Sequence, residues 1–391
     1  MWALFVTVYA VLAFAYLFYR QLLLMFSSQQ YKKNFSDRVS VVVAEYNEDP
    51  QLLLKSITSL LQAKNVDEVI LVDDGSPNDP TSFVSARFAG LTSRLRIIQI
   101  PHKGKREAQF TGVRLARFPF ICFVDSDSLI AKNAVKELLL PFEKKKTGAV
   151  TGNIFVLNEN ENLLTRSIAA RYWNAFNVER AGLGGFGSVT CLTGVLSLYR
   201  KDLLLQIEDK YLEQKFLGKQ CTYGDDRHLT NLVLKKGFET VYQRTAKAWT
   251  VSPQTIGELF RQQLRWKKSW IRETFILVST LREIFKFSKK RSFVLGVDSF
   301  FQVFLVPSSF VIRLWFWISM LFFPVLAIAF FVMVFFMAGI RSLNMIFSVP
   351  EKYVYSVIYG FLYEFVLVWT LPVAFLSLSD TDWGTRKIFS K

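Results

Sequence analysis

The chain has 391 residues, of which 51% are hydrophobic, with a formal charge of +16 and a mean hydropathy of +0.25. The apolar residues are concentrated in the first thirty positions and between Ser292 and Leu378, a distribution that excludes an ordinary soluble protein. The charge favours anionic lipid, nucleotide diphosphates or an acidic product as partners. The sequence shows no helix-turn-helix, zinc-finger or aromatic RNA-binding pattern, so we expect no nucleic acid partner.

Residues 1–30 are predicted to form a transmembrane helix. The run Trp2–Phe26 has Arg20 as its only strong charge and is long enough to cross about 30 Å of hydrocarbon. A cleaved signal peptide is the alternative, but the apolar run is too long and has neither a basic leader nor a small-residue cleavage site. We therefore expect a retained anchor.

Residues 36–250 alternate strands and helices, which is typical of a parallel α/β sheet. The predicted elements are the strands Val39–Ala44, Glu68–Val72, Ile97–Ile100 and Phe120–Val124 and an amphipathic helix Gln51–Ala63. Acidic residues follow several of these strands. Because ligands bind at the carboxyl ends of the strands in such sheets, we expect the binding site there.

Residues 251–290 are predicted to form two amphipathic, interfacial helices within Ser252–Phe287. Three apolar segments follow within 291–378, at about 293–312, 314–338 and 353–378. The third contains Glu364 and Pro372, and we expect it to be broken or re-entrant, which would leave residues 379–391 in the cytosol with the α/β domain.

The cysteines predict neither a disulfide framework nor a zinc site. Cys122, Cys191 and Cys221 are odd in number and widely spaced, and the sequence has only two histidines. We expect free thiols in a reducing compartment.

Two acidic motifs at predicted strand ends suit nucleotide binding. Asp125 and Asp127 can hold a divalent cation together with a diphosphate, although a solvated turn is the plain alternative. In Asp73-Asp74-Gly75, a carboxylate could accept from uracil N3–H or a ribose hydroxyl, and a simple turn is again possible. Tyr46 offers a face for stacking uracil, and Lys105 offers a cation.

Asp226 is the best candidate for a catalytic base. A sugar hydroxyl that attacks an anomeric carbon must lose a proton, and a positioned carboxylate can accept it. The structural alternative is that Asp225 or Asp226 caps the predicted helix His228–Lys236.

Two further motifs lie near the predicted membrane segments. In Gln262–Trp266, Arg265 could hold a pyrophosphate and Trp266 could face an acceptor sugar, although both could be lipid anchors. Asp382–Lys387 could close over the nucleotide as a mobile loop, or it could be a basic tail at the membrane border.

Seven motifs, taken in order, resemble those of the membrane-bound, processive members of glycosyltransferase family 2, and within it the hyaluronan synthases: VDDGS, GKREA, VDSDS, RYWNAFNVERA, QCTYGDDRHLTN, RQQLRW and WGTRK. The resemblance extends from about Val39 to Lys387. It implies an α/β GT-A (Rossmann-like) cytosolic domain combined with α-helical transmembrane and interfacial helices that form a channel. It also implies inverting transfer from UDP-sugars, Mn²⁺ or Mg²⁺ as cofactor, and export of the growing polysaccharide through the lipid bilayer of the cell. We expect a functional monomer.

The resemblance also implies a role for each candidate residue. The UDP-sugar would be bound by Tyr46, Glu48, Asp73, Asp74, Lys105, Arg106, Asp125, Ser126, Gln262, Arg265, Trp383 and Arg386. The acceptor would be bound by Trp266, Cys221 and Asp225. The metal would be held by Asp125 and Asp127, and the catalytic base would be Asp226. Trp383 and Arg386 would belong to a gating loop.

The expected product is hyaluronan, made from UDP-GlcNAc and UDP-GlcA. Two departures keep alternatives open: Cys191 is followed by Leu192–Val195 where family members often have Ser-Gly-Pro, and we find one N-terminal span where bacterial hyaluronan synthases usually have two. A chitooligosaccharide synthase using UDP-GlcNAc alone and a type 3 capsule synthase using UDP-glucose and UDP-GlcA share many of the motifs.

Two other classes fit the sequence less well. An inactive membrane scaffold predicts the loss of at least one of Asp127, Asp226 and Arg265, and all three are present. A solute transporter predicts paired charges at the membrane midplane and an internal repeat, and the sequence shows no repeat.

Overall fold

The computed structural model describes residues 2–27, 31 and 35–380. An eight-stranded mixed sheet has the order β3-β2-β1-β4-β7-β6-β10-β5, and a two-stranded hairpin is formed by β8 and β9. The strands are β1 Val39–Glu45, β2 Glu68–Asp73, β3 Leu95–Gln99, β4 Phe120–Phe123, β5 Ser128–Ile130, β6 Thr147–Val156, β7 Ser197–Arg200, β8 Lys215–Phe216, β9 Lys219–Gln220 and β10 Glu239–Thr250. This is the GT-A arrangement that the motifs imply.

Helices cover the sheet and continue into the apolar C-terminal region. They are α1 Trp2–Met25, α2 Pro50–Leu61, α3 Pro80–Phe88, α4 Lys105–Leu115, α5 Ala134–Leu139, α6 Leu163–Asn174, α7 Ala181–Gly184, α8 Lys201–Leu212, α9 Asp225–Lys235, α10 Ile256–Phe287, α11 Lys289–Phe322, α12 Val325–Arg341, α13 Leu343–Ser348, α14 Tyr353–Phe365 and α15 Thr370–Leu376. The turn Ala175–Arg180 between α6 and α7 has π-helical hydrogen bonding, a form often found at functional sites.

The parallel strands β1, β2 and β4 form the centre of the sheet. Every residue of these strands is buried, as expected for β-branched and aromatic runs covered by helices on both faces. Helix α4 packs so closely on β1 that a Cβ on Gly112 would lie 2.4 Å from Val42 Cγ1. The predicted strand Ile97–Ile100 corresponds to β3, which lies at the edge of the sheet and is only partly buried.

Local sequence explains the first helix after β1. Asp49 accepts a hydrogen bond from the Leu52 amide at 2.8 Å and caps α2, and Pro50 occupies the first turn, where its missing N–H costs nothing. Leu53, Ile57 and Leu60 follow at helical spacing and are fully buried against the sheet.

The predicted pair of interfacial helices is wrong, because α10 is one continuous helix of 32 residues. It begins with a capping box between Thr255 and Glu258, contains no proline, and ends only at Ser288. The hydroxyl of Ser288 then caps α11 by accepting from the Arg291 amide at 3.3 Å.

The predicted boundary between segments 293–312 and 314–338 is also wrong. Helix α11 passes through Arg313 without a break, and the chain turns instead at Pro324, before α12. Arg313 does not end the helix because its guanidinium forms an ion pair with Glu364 of α14. A charge paired in this way can remain within an apolar helix.

The third apolar segment is broken, as predicted. A short 3₁₀ turn separates α14 from α15, and the two parts of the chain differ in direction by 49°. In the described part of the chain, Thr7–Met25 and Lys289–Phe322 are long and apolar enough to cross a membrane, and the bent pair would make a third span. The chain is therefore membrane-associated.

Helix α1 is tied to α11 by polar contacts. Arg20 forms an ion pair with Asp298 at 2.8 Å, and the hydroxyl of Tyr16 donates to the same carboxylate at 3.1 Å. The Tyr19 hydroxyl donates to the carbonyl of Val294 at 3.0 Å. These contacts dock the N-terminal helix against the C-terminal region.

Candidate active site

The carboxyl ends of β1, β2 and β4 bring the predicted nucleotide residues to one edge of the sheet. Because β1 pairs in parallel with both neighbours, Glu45 lies opposite Asp73 and Val42 lies opposite Phe123. The loops that carry Tyr46, Asp74 and Asp125 therefore leave the sheet side by side.

The predicted nucleoside residues lie together around a loop that follows β3. The ring of Tyr46 is 4.3 Å from that of His102, with 30° between the planes. Asp74 accepts from the amides of Lys103 (2.8 Å) and Gly104 (2.9 Å) and so holds this loop in place. A Cβ on Gly75, which has φ of 76°, would lie 2.9 Å from the His102 amide, so only glycine lets the two loops pack this closely.

Asp73 is buried, like the neighbouring Asp74, and its carboxylate is held by other groups of the protein. Its carboxylate accepts from the Ser76 amide at 2.8 Å and from Gln99 Nε2 at 3.4 Å. Beside it, Glu45 is 1% exposed and accepts from the Ser76 hydroxyl at 2.9 Å. Burial, followed by the nearby Asp73, raises the pKa of Glu45 to about 8. Sequence reasoning missed Glu45, although it directly precedes Tyr46.

The candidate metal residues Asp125 and Asp127 interact electrostatically with each other, with Glu48 and with Lys105. Lys105 Nζ lies 2.5 Å from Asp125 Oδ1, and the Ser126 hydroxyl donates to Glu48 Oε2 at 2.7 Å. Burial raises the pKa of Asp127, and the carboxylates of Asp125 and Glu48 raise it further. Glu48 therefore lies beside Ser126, the central residue of the DxD motif.

The proposed base lies at the start of α9. Gly224, with φ of 81°, caps this helix, so the suggested cap at Asp225 or Asp226 is wrong and both residues lie in the first turn. The helix thus begins three residues before the predicted His228. Burial raises the pKa of Asp226, while a hydrogen bond from the Cys191 thiol to Asp226 Oδ2 at 3.3 Å lowers it.

One short loop, residues 191–194, contacts both acidic groups. Cys191 bonds Asp226 at one end of this loop. At the other end, a Cβ on Gly194 would lie 2.9 Å from Asp125 Oδ1. Since three peptide units span at most about 11 Å, the candidate metal residues and the candidate base face a common space.

Cys191 is a site residue that sequence reasoning missed. Arg180, from the π-helical turn, donates to its carbonyl at 3.2 Å and fixes the loop. The predicted acceptor residue Cys221 is buried near Arg272, Arg106 and Asp225. The unusual sequence Leu192–Val195 after Cys191 drew attention to this loop, but the sequence alone could not show that the loop lies beside Asp226.

Helix α10 carries the motif Gln262–Trp266 towards the space that the candidate metal residues and the candidate base face. The pKa of Tyr172 is raised first by burial; the charge of Asp127 raises it further, and that of Arg265 lowers it. Tyr172 therefore lies within electrostatic range of both residues. Gln262 Oε1 is buried with no partner among the described residues, and Trp266 is 42% exposed.

Two predicted residues, Trp383 and Arg386, lie outside the described residues. The last described residue is Asp380. Its carboxylate accepts from Lys268 Nζ at 3.0 Å, and its carbonyl accepts from the Tyr223 hydroxyl at 3.0 Å. The chain thus leaves the described part beside α10 and the loop that leads to Asp225.

Comparison with known proteins identifies the family of this chain. The model of the family described as glycosyltransferase like family 2 matches residues 37–269. A hyaluronan synthase of Streptococcus pyogenes serotype M3 is 32% identical over 391 residues, covering 98% of this chain and 91% of that protein. The chain belongs to glycosyltransferase family 2.

Two further comparisons bear on fold and specificity. An N-acetylglucosaminyltransferase of Mesorhizobium japonicum is 39% identical over 249 residues, which cover 62% of this family 2 chain and 58% of that enzyme. A mannosyltransferase of Pyrobaculum calidifontis, solved with GDP-mannose and Mn²⁺, superimposes with a TM-score of 0.63 over 97% of both chains at 14% identity. The latter likeness shows the shared GT-A fold. As a member of the family, this chain is a hexosyltransferase.

The residues of this glycosyltransferase suit a divalent cation. Burial and the carboxylates of Asp125 and Glu48 raise the pKa of Asp127, so a positive ion beside it would be favourable. Lys105 offsets only part of this negative charge. Carboxylate oxygens are the ligands that Mg²⁺ and Mn²⁺ prefer, and two of them leave coordination positions for a diphosphate.

Proposed function

We propose that this enzyme is a processive, inverting β-glycosyltransferase that polymerises UDP-GlcNAc and UDP-GlcA into hyaluronan and passes the polymer across the membrane. The observation that carries the proposal is the contact of one four-residue loop with both Asp125 and Asp226. Similarity to a streptococcal hyaluronan synthase over nearly the whole chain supports the choice of product.

Asp226 is the base in this proposal. The acceptor hydroxyl attacks the anomeric carbon, the new C–O bond forms as the bond to UDP breaks, and configuration inverts. The hydroxyl proton passes to Asp226, whose pKa is raised by burial towards the range in which a carboxylate accepts protons readily. The hydrogen bond from Cys191 holds this carboxylate in one orientation.

The diphosphate is bound between Lys105 and the DxD motif. Asp125 and Asp127 would hold Mn²⁺ or Mg²⁺, which would neutralise the charge that develops on the UDP leaving group. Lys105, already 2.5 Å from Asp125, contributes a further positive charge, and Arg265 of α10 approaches from the Tyr172 side. Tyr46 stacks on uracil, with Asp73 and Asp74 shaping the nucleoside end.

The acceptor and the membrane lie on the side of α10. Trp266, which is partly exposed, offers a flat face to the acceptor sugar, and Gln262 offers an amide oxygen that has no partner within residues 35–380. The spans α1 and α11 and the bent pair α14–α15 would form the path of the polymer, with the α/β domain in the cytosol and the enzyme acting as a monomer. The residues after Asp380 would close over the nucleotide.

A second product is favoured by a specific observation. The rhizobial N-acetylglucosaminyltransferase is more similar over its aligned region than the streptococcal synthase, although that alignment covers only 58% of the rhizobial enzyme. The loop after Cys191 also departs from the usual hyaluronan synthase sequence. A chitin-like polymer made from UDP-GlcNAc alone is therefore the alternative.

The test supplies purified enzyme in nanodiscs with Mn²⁺ and with UDP-GlcNAc and UDP-GlcA, singly and together. Polymer that forms only with both donors supports hyaluronan, and polymer from UDP-GlcNAc alone supports the chitin-like product. Asp226→Asn is the matched control, because it keeps the size of the side chain and removes the base. Polymer from this variant at the wild-type rate would remove Asp226 from its role.

A further inference from the structure

A buried network of side chains connects the helices that carry the site residues. It begins at Arg106, in the first turn of α4, which is 7% exposed. Its Nε donates to Asp225 Oδ1 at 2.6 Å, Nη1 to the carbonyl of Tyr211 at 2.9 Å, and Nη2 to Gln214 Oε1 at 2.9 Å. Every nitrogen of this guanidinium therefore already donates to the protein.

The network continues from Gln214 to α10. Gln214 Nε2 donates to Glu273 Oε1 at 2.7 Å, and Glu273 is 1% exposed. The Glu273 carboxylate also accepts from Arg272 Nε at 2.9 Å and from Asn231 Nδ2 of α9 at 3.1 Å. These bonds hold α9 and α10 against the end of α8.

The first part of this network lies one residue from both chemical groups of the site. Lys105 precedes Arg106 and pairs with Asp125, while Asp226 follows Asp225 in the first turn of α9. Consecutive side chains of an α-helix point about 100° apart around its axis. Holding Asp225 against Arg106 therefore fixes the direction in which Asp226 points.

We propose that Arg106 and Asp225 are a positioning pair that orients Asp226 towards the bound donor, and that neither side chain contacts the nucleotide or the acceptor. The inference rests on the proposed function, because it concerns the proposed base. Both side chains are more than nine-tenths buried and their polar atoms face each other. The pair also joins the first turn of α4, which carries Lys105, to the first turn of α9, which carries Asp226. It therefore fixes the position of Asp226 relative to Lys105 and its partner Asp125.

The pair should affect the rate of transfer more than nucleotide affinity. Removing one partner leaves the other as an uncompensated buried charge, and the first turn of α9 shifts to relieve it. A displacement of about 1 Å at a catalytic group costs about a hundredfold in rate. A residue that binds the nucleotide would instead weaken UDP binding directly.

The experiment compares Arg106→Lys, Asp225→Asn and the double variant in nanodiscs. We expect each single variant to lower kcat about 30-fold or more while the Kd for UDP changes less than about threefold. The double variant should lose no more than either single variant, because both remove the same interaction. Asp225→Asn keeps the shape of the side chain and decides the matter if Arg106→Lys does not fold.

The matched control is Arg96→Lys. Arg96 pairs with the fully buried Glu68 at 2.8 Å, at the start of β2, the opposite end of that strand from the site. This variant should lower the melting temperature and leave kcat within about twofold of wild type, because the ion pair does not touch the site residues.

Three results would overturn the proposal. A tenfold rise in the UDP Kd of Arg106→Lys alone would make Arg106 a nucleotide ligand. If the variants have a lower melting temperature but the wild-type kcat, Arg106 and Asp225 contribute only to stability. If the rate losses of the two single variants multiply in the double variant, Arg106 and Asp225 act independently and are not a pair. If the wild-type enzyme transfers no sugar from either UDP-sugar, the proposed function fails and the inference fails with it.

Discussion

Gly194 gives the sharpest test of the proposed metal site, because a side chain added there would meet Asp125 first. A Cβ at this position would lie 2.9 Å from Asp125 Oδ1, 3.0 Å from Oδ2 and 3.3 Å from Cγ. Gly194 does not have the left-handed backbone that favours glycine, so Gly194→Ala should fold without backbone strain. The added methyl group should press directly on the carboxylate of Asp125.

The size of the effect follows from the contact distance. An ordinary contact begins at 3.4 Å, so the Asp125 carboxylate or the loop must move by about 0.5 Å. Since a 1 Å misplacement costs about a hundredfold, half that distance predicts a loss of about tenfold in kcat. That loss corresponds to about 1.4 kcal/mol in the activation free energy.

The assay measures the initial rate of sugar transfer against Mn²⁺ concentration. We expect Gly194→Ala to need more Mn²⁺ for its half-maximal rate, as well as to show a lower kcat. Gly257→Ala is the matched control: it lies in the first turn of α10, and its Cβ would meet nothing closer than 3.8 Å. If both variants show the wild-type rate and Mn²⁺ dependence, Asp125 does not hold the metal.

Three further predictions concern other parts of the chain. Cys191→Ala removes a hydrogen bond that lowers the pKa of Asp226, so the acid limb of the kcat–pH profile should move to higher pH; an unchanged profile contradicts this. Glu45 has a pKa raised to about 8, so the folded state binds a proton that the unfolded state releases near pH 4.5, and stability from this group is lost as pH rises towards 8. Glu45→Gln should therefore flatten the fall in melting temperature between pH 5 and pH 8, and equal slopes would be the negative result. Arg313→Met leaves Glu364 unpaired and should destabilise the helices by about 3 kcal/mol in detergent, whereas adding Glu364→Met should restore most of the loss.

The strands and their acidic ends could be predicted because their signals are local. β-branched runs such as Val39–Ala44 and Glu68–Val72 define strands that are buried on both faces, and the residues after them must lie at the carboxyl ends. Asp125 and Asp127 lie at this edge because Phe120–Phe123 pairs in parallel with β1.

The helical region was harder to predict because tertiary pairing decides where helices end. Arg313 interrupts an apolar run in the sequence and suggested a boundary, but its partner Glu364 lies 51 residues away and neutralises it within α11. The amphipathic pattern of α10 suggested two helices, since no local signal says that one helix of 32 residues stays continuous across the edge of the α/β domain.

Two residues of the candidate site act through contacts that are distant in the sequence. Cys191 acts through a contact with Asp226, 35 positions later in the chain, and Arg106 through a contact with Asp225, 119 positions later. The resemblance implied nucleotide binding for Arg106, whereas the proposed positioning role follows from its buried contact with Asp225, which the sequence does not show. Resemblance to a family shows which motif lies at the site, but the role of each residue in the motif depends on what its side chain contacts in the folded protein.

The central claim is that the metal-binding carboxylates and the base act on one reacting centre. A cryo-EM structure of the Asp226→Asn variant with Mn²⁺ and UDP-GlcNAc tests it most directly. We predict that Mn²⁺ lies on Asp125 and Asp127 and that residue 226 faces the anomeric carbon within about 10 Å of the ion. Mn²⁺ bound elsewhere, or separated from residue 226 by more than about 15 Å, would contradict the claim.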